Sequence, residues 1–115
     1  MYETINIKDI IRMNQDVGAT GDFSNKSSFE YALSIVKERK SWLHELSFLV
    51  RSLLVDHAFR DGNKRTALAI ILVYLSDRNI EYDKERLIQV IHSISKKNIS
   101  DIKKIARLIQ SATIH

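Results

Sequence analysis

Apolar residues recur at steps of three and four along most of the chain, which is the spacing of one face of an α-helix. A first helix is predicted over about residues 6–15, and a second begins with Ser27 or Ser28 as its N-cap. Further apolar faces are formed by Leu43, Leu46, Val50, Leu53, Leu54 and His57; by Leu87, Val90, Ile91 and Ile94; and by Ile102, Ile105, Ala106 and Ile109. With no proline and only three glycines, few residues interrupt this periodicity.

The segment from Asn63 to Asn79 differs because Ala67–Leu75 is apolar on all sides. Such a helix is expected where other helices surround it. A buried β-strand is the alternative, but the length of the run and the lack of a strand partner favour a helix. The pattern therefore predicts an all-α fold, a compact bundle of six or seven helices around this central hydrophobic helix, as a single domain over residues 1–115.

Composition narrows the class of protein. The chain has 115 residues, 44% of them hydrophobic and 28% charged, which is typical of one soluble domain. Without cysteine it has no disulfides and no thiolate chemistry. The N-terminus has no apolar run of signal-peptide length, and the longest apolar run, Ala67–Leu75, is too short to span a membrane, so we expect a cytoplasmic protein without membrane contact. The net charge of +4 fits an acidic partner or a polyanion, although a solvated helix surface explains most of the basic residues equally well.

The candidate chemistry lies in His57–Arg65, at the junction before the central helix. Lys64 and Arg65 fall in its first turn, where the helix dipole is positive and backbone N–H groups are unpaired. Two cations there are unfavourable unless an anion binds, and together with the amides they suit a phosphate. Gly62 allows a ligand to approach the backbone closely.

The remaining residues of this segment suit a metal ion and a proton acceptor. Asp61 would hold Mg²⁺, which proteins bind with one or two carboxylates plus phosphate oxygens. His57, expected to close the preceding helix, is the usual type of general base, and Phe59 would anchor the loop inside the protein. Taken singly, His57 could be a helix-terminal histidine, and Asp61 with Gly62 an ordinary turn capped by Asn63. Their combination within nine residues favours a site.

This segment resembles the signature of the Fic/Doc family, His-x-Phe-x-(Asp/Glu)-Gly-Asn-(Gly/Lys)-Arg, with Ala58 where many relatives have proline. The similarity extends from near residue 5 to near residue 110 and is closest to the compact Doc, or death-on-curing, branch. Lys64 stands where adenylyl-transferring members have glycine, and Leu68 where they have a second arginine.

The resemblance implies an enzyme that uses ATP or another nucleoside triphosphate with Mg²⁺. In Doc-type members the γ-phosphate passes to a protein serine or threonine hydroxyl. By this resemblance His57 is the base and Asp61 the metal ligand. Gly62 and Asn63 line the anion site, while Lys64 and Arg65 neutralise the transferred group as catalytic and phosphate-binding residues.

Two further expectations concern binding of other proteins. The polar connection around Gly21, Asp22, Phe23 and Ser24 resembles the family's flap, which docks an extended target segment by strand-like pairing; an ordinary helix connection is the alternative. The family's inhibitory motif, (Ser/Thr)-x-x-x-Glu-(Gly/Asn), is incomplete here, because Ser34–Glu38 and Ser41–Glu45 have its spacing but are followed by Arg39 and Leu46. The resemblance therefore implies a separate antitoxin chain.

Three functions follow from these residues. The first is a Doc-like toxin kinase that acts on a component of translation. The second is a Fic-type adenylyl or nucleotidyl transferase, and the third a non-catalytic helical binding module. Direct nucleic-acid binding is not expected from the motif, and the histidines lack the spacing of a metal site.

Overall fold

A computed structural model describes residues 5–114 of the chain. In chain order its elements are α1 (Ile7–Asp16), α2 (Lys26–Lys37), α3 (Trp42–Leu54), α4 (Asn63–Asp77), β1 (Glu81–Tyr82), α5 (Lys84–Lys97), α6 (Ile102–Ser111) and β2 (Thr113–Ile114). Six helices and almost no strand within this range confirm the predicted all-α fold.

The helices begin where polar side chains can accept a first-turn N–H, with one exception. The caps of α1, α2, α3, α5 and α6 are Asn6, Asn25, Ser41, Asp83 and Asp101. The prediction of Ser27 or Ser28 as the cap of α2 is wrong, because the Asn25 side chain accepts the N–H of Ser28 at 3.2 Å. Asparagine is as strong an N-cap as serine, so the helix starts earlier. The exception is α4.

The core forms around α3 and α4, which pack against each other. The predicted central helix, α4, also contacts α1 and α5, while α3 also contacts α2, α5 and α6. Tyr74 of α4 is almost fully buried, and its hydroxyl donates a hydrogen bond to the Glu45 carboxylate at 3.2 Å. Among the large hydrophobic side chains of α4, Val73 is the exposed one, so one edge of this helix faces outward.

A short antiparallel pairing that the hydrophobic pattern did not predict joins β1 to β2. Glu81 lies opposite Ile114, and Tyr82 opposite Thr113. Two residues are too few to show the alternation by which strands are predicted. The pairing ties the chain after α6 to the connection between α4 and α5. No helix between residues 5 and 114 combines the length and apolar character that a membrane span requires.

Candidate functional site

Gly62 precedes α4 and takes the N-cap position without a capping side chain. Its φ of +75° lies in the left-handed region, which side chains disfavour. A Cβ atom there would lie 2.9 Å from the Cβ of Ala19 and 3.1 Å from Nδ2 of Asn14. Both the backbone conformation and the packing therefore require glycine at the entrance to this helix.

The first turn of α4 carries exposed backbone donors and two cationic side chains. Helix geometry leaves the N–H groups of Asn63, Lys64 and Arg65 without intrahelical acceptors. Lys64 and Arg65 are exposed, as their predicted first-turn position requires, and the turn has no acidic residue. The Arg65 guanidinium lies 3.8 Å from the Asp61 carboxylate, an exposed pair that contributes little to stability. This end of the helix can therefore receive an anion.

Asn63 holds the loop rather than offering its side chain to a ligand. Its Oδ1 accepts the N–H of Phe59 at 3.0 Å, and its Nδ2 donates to the Phe59 carbonyl at 2.8 Å. The Phe59 ring is buried, as predicted, and stacks on Phe23 with 4.5 Å between ring centroids. The backbone N–H of Asn63, which has no intrahelical acceptor, stays available to a phosphate.

The segment predicted as a flap pairs with the motif by backbone hydrogen bonds. Phe23 and Phe59 form an antiparallel bridge. Ser24 N–H donates to the Ala58 carbonyl at 2.8 Å, and Arg60 N–H donates to the Asp22 carbonyl at 3.0 Å. In this geometry the N–H and C=O of Phe23 point away from Phe59 and find no hydrogen-bond partner among residues 5–114. One edge of the segment is used inside the protein, and the other is open.

His57 lies in the loop after α3 and not on the helix, so that prediction is wrong. The helix ends at Leu54, and His57 is exposed with a φ of +51°. The chain has to turn here because Ala58 is buried: its N–H donates to the Ser52 carbonyl at 3.1 Å, and its carbonyl accepts from Ser24. The turn leaves the imidazole on the outside, where it lines a cavity.

That cavity, of about 530 Å³, brings the motif residues together with part of α5. It is lined by Leu53, Leu54, His57, Arg60, Asp61, Gly62, Asn63, Lys64, Arg65, His92 and Ser95. Its volume falls in the usual range of small-molecule sites. His92 and Ser95 were missed by the sequence analysis, since the periodicity of α5 marks only its buried residues and no motif includes these two.

Asn14 was also missed as a site residue, because its position on the apolar face of α1 predicts packing. It is 1% exposed and bonds three separate segments. Its Oδ1 accepts Gly21 N–H at 2.9 Å, while Nδ2 donates to the Asp61 carbonyl at 2.9 Å and to Thr66 Oγ1 at 3.0 Å. No local pattern announces contacts with residues this far along the chain.

The cavity suits Mg²⁺ only in company with a phosphate ligand. Asp61 is the one carboxylate among its lining residues, and residues 5–114 hold no group of three or more histidines and acids arranged for a metal ion. Mg²⁺ is commonly held by one or two carboxylates together with substrate phosphates, and Asp61 next to the anion-receptive turn of α4 fits that donor set.

Comparison with known proteins identifies the family of this chain. A family model described as the Fic/DOC family matches residues 5–75, more than half of the chain. The match runs from α1 almost to the end of α4 and includes the whole His57–Arg65 motif, whereas His92 and Ser95 lie beyond it. No curated protein matches the sequence. The chain belongs to the Fic/DOC family.

Proposed function

We propose that this protein transfers the γ-phosphoryl group of ATP, or of another nucleoside triphosphate, to a serine or threonine hydroxyl of a component of translation. The proposal rests on the composition of the N-terminal end of α4. This end has Gly62 in place of a cap, Lys64 and Arg65 in its first turn, and His57 in the same cavity. Membership of the family supports a transferase that acts on protein hydroxyls.

His57 and the cationic turn divide the chemistry between them. His57 takes the proton of the target hydroxyl, whose oxygen then bonds to the γ-phosphorus as the bond from that phosphorus to the β,γ-bridging oxygen breaks. ADP leaves, and the proton stays on the imidazole. Lys64, Arg65 and the N–H groups of the first turn stabilise the negative charge on the phosphoryl oxygens, which is the main demand of phosphoryl transfer. Asp61 would hold Mg²⁺, which supplies further charge neutralisation when bound.

Lys64 supports phosphoryl over nucleotidyl transfer. Adenylyl-transferring members of the family resemble this chain but have glycine at this position. A lysine here adds a positive charge and fills space beside the phosphates. Leu68, half-buried on α4, offers no charge for a further phosphate. A Fic-type nucleotidyl transferase is the second candidate because the other motif residues are common to both kinds of member.

The open edge of Phe23 supports docking of the target as an added strand. Its free N–H and C=O would pair with an extended segment that carries the hydroxyl. The exposed side chains of Asp22 and Ser24 flank this edge, and the N–H of Gly21 is held by Asn14. The flap is thus anchored on one side and available on the other.

Control by a separate, acidic antitoxin chain is part of the proposal. The glutamates that come nearest to the family's inhibitory motif do not line the cavity. Glu38 is exposed and pairs with Lys40 at 3.7 Å, and Glu45 is buried beneath Tyr74. Neither glutamate is placed to block the cavity, which supports an inhibitory group supplied by a separate molecule. We place the reaction in the cytoplasm, where translation factors and nucleoside triphosphates meet.

A paired label-transfer assay tests the proposal. Purified translation factors are incubated with the protein, Mg²⁺ and ATP radiolabelled at either the α or the γ phosphate. We expect γ-label alone on one factor, lost in His57→Ala and retained in His44→Ala, a histidine of α3 outside the cavity. Transfer of α-label would establish the nucleotidyl transferase. No transfer, with polyanion binding that needs neither Mg²⁺ nor His57, would indicate a binding module instead.

A further inference from the structure

Asn14 connects the flap, the Asp61 loop and α4 through one buried amide. We propose that Asn14 is a positioning residue that makes Mg²⁺–nucleotide binding at Asp61 and the ordering of the flap depend on each other. The inference rests on the proposed function, since it assigns Asp61 to the metal and residues 21–24 to target docking.

The bonds of this amide use both of its donor hydrogens and one of the two acceptor sites of its oxygen. Oδ1 accepts the N–H of Gly21 at 2.9 Å, and the two N–H bonds of Nδ2 go to the Asp61 carbonyl at 2.9 Å and to Thr66 Oγ1 at 3.0 Å. The backbone carbonyl of Asn14 also accepts Ala19 N–H at 3.1 Å. Asn14 and Thr66 are buried, so a displaced partner would leave a polar group unpaired away from water. The three segments therefore hold one relative position.

The Asp61 loop needs such an anchor because its own side chain is not fixed. The Asp61 side chain is 72% exposed, and within residues 5–114 its carboxylate reaches only the Arg65 guanidinium, at 3.8 Å. Its backbone carbonyl, in contrast, is held from below by Asn14. Groups behind a metal ligand commonly set its orientation and its affinity for the metal. Asn14 acts on Asp61 in this way while touching neither metal nor nucleotide.

The same amide holds the flap at Gly21, directly before the residues that pair with the motif. A ligand that restrains the Asp61 carbonyl also restrains the amide, and through it the N–H of Gly21. Part of the cost of ordering the flap is then met before a target arrives. Because linkage is reciprocal, a docked target strengthens Mg²⁺–nucleotide binding by the same factor.

Hydrogen exchange of the wild-type protein gives the first test. Two amides report on the two sides: Gly21 N–H, bonded to Asn14, and Phe59 N–H, bonded to Asn63 in the motif loop. We expect Mg²⁺–ATP to slow exchange at both, and to leave Asp83 N–H, bonded to the Ala112 carbonyl, unchanged. Slowing at Phe59 with no change at Gly21 would overturn the coupling.

Two buried variants give the second test. Asn14→Leu keeps the volume and removes all three side-chain bonds, whereas Thr66→Val removes only the bond to α4. For Asn14→Leu we expect about 10- to 100-fold more Mg²⁺ for half-maximal ATP binding, together with loss of the nucleotide effect on Gly21 exchange. Thr66→Val should retain both properties. Equal behaviour of the two variants, at matched loss of thermal stability, would reduce Asn14 to a packing residue.

Failure of the proposed function is separable from failure of this inference. If the wild-type protein binds neither Mg²⁺–ATP nor any other Mg²⁺–nucleoside triphosphate, the proposed function is wrong. The positioning role is then decided by exchange in the nucleotide-free protein, where Asn14→Leu must accelerate Gly21 and Phe59 together and Thr66→Val must not. Should Asn14→Leu fail to fold, Asn14→Ser, whose shorter side chain leaves room for water, is measured in its place.

Discussion

The N-terminus of α4 differs from those of the other helices in how its unpaired first-turn N–H groups are treated. In the described part of the chain, α1, α2, α3, α5 and α6 each start with a side chain that accepts a first-turn N–H, and α4 starts with Gly62, which cannot. The first turns of α1, α3 and α5 contain an acid. Those of α4 and α6 each contain two cations and no acid, but the lysines of α6 lie beside the Asp101 cap, which α4 lacks. A side-chain cap thus stabilises five of these ends and is absent from the sixth.

The magnitudes show that the difference is not incidental. A side-chain cap contributes about 1 kcal/mol. Each cation in a first turn costs about 0.3–1 kcal/mol through the helix dipole. The α4 end thus forgoes a sizeable part of the stability of a small domain, which is typically about 5–15 kcal/mol. Because α6 carries two lysines in a capped first turn, the missing cap is what sets α4 apart, and it leaves the backbone donors of this end free for a ligand. Four predictions test it.

The largest effect is expected on the rate of phosphoryl transfer, when an arginine is removed from the uncapped N-terminus of α4 and, as a control, from the capped N-terminus of α5. Arg65 and Arg86 are each the third residue of their helix, α4 and α5. Arg65→Ala should slow γ-phosphoryl transfer about 1000-fold, because an arginine at the transferred group carries that much of the rate. Arg86→Ala, which loses a bond to Ser111, should leave the rate unchanged. Similar rates for both variants in the transfer assay would remove the distinction.

The next effect concerns the glycine that replaces the cap. Gly62→Ala should lower the free energy of unfolding by about 3 kcal/mol, from its left-handed backbone and from overpacking against Ala19. Gly18→Ala is the control: its φ is also positive, but the nearest atom to its Cβ would be Arg65 Nη1 at 3.9 Å. Denaturant unfolding of both variants isolates the contribution of packing. Equal losses would mean that Gly62 is retained for its backbone conformation alone.

A smaller effect is expected at a capped end. The Asp101 carboxylate accepts the N–H groups of Lys103 and Lys104 at 2.9 and 3.2 Å. Asp101→Ala should therefore lower the free energy of unfolding by about 1 kcal/mol. ATP affinity, measured by calorimetry on the same sample, should not change. A weakened affinity would show that the caps and the cavity are not independent.

The smallest effect has the opposite sign. Lys64→Glu should raise the free energy of unfolding of the nucleotide-free protein by about 0.3–1 kcal/mol, an increase that fades as salt is added. Lys103→Glu, at the second position of capped α6, should give a similar gain. Only Lys64→Glu should lose affinity for ATP. A protein destabilised by Lys64→Glu would argue that this lysine serves the fold.

Local patterns predicted the parts of the site that lie close together in the sequence. The all-apolar run that follows Gly62 predicted a helix with Lys64 and Arg65 in its first turn. The surrounding motif predicted that Phe59 anchors the loop inside the protein. His57 was misplaced because the three- and four-residue spacing continues past Leu54, although the buried backbone of Ala58 forces the chain to turn first. The periodicity of a segment does not show where a contact with a distant segment ends a helix.

The remaining features depend on contacts between distant residues. Asn14 meets Asp61 across 47 positions of the sequence, and His92 reaches the cavity only because α5 packs beside α4. Neither has a local signature: an asparagine on an apolar helix face and a histidine on an exposed one are both common. Such residues become visible only once the fold has brought their segments together.

The alternation of side chains along the flap has a consequence for how such a protein diverges. Phe23 faces inward onto Phe59, and its neighbours Asp22 and Ser24 face outward. In the proposed function backbone groups hold the incoming strand, so substitutions at the two outward positions would leave the proposed phosphate site undisturbed. New target preferences would then arise, or be engineered, at these two positions while the residues proposed to transfer the phosphate stay the same.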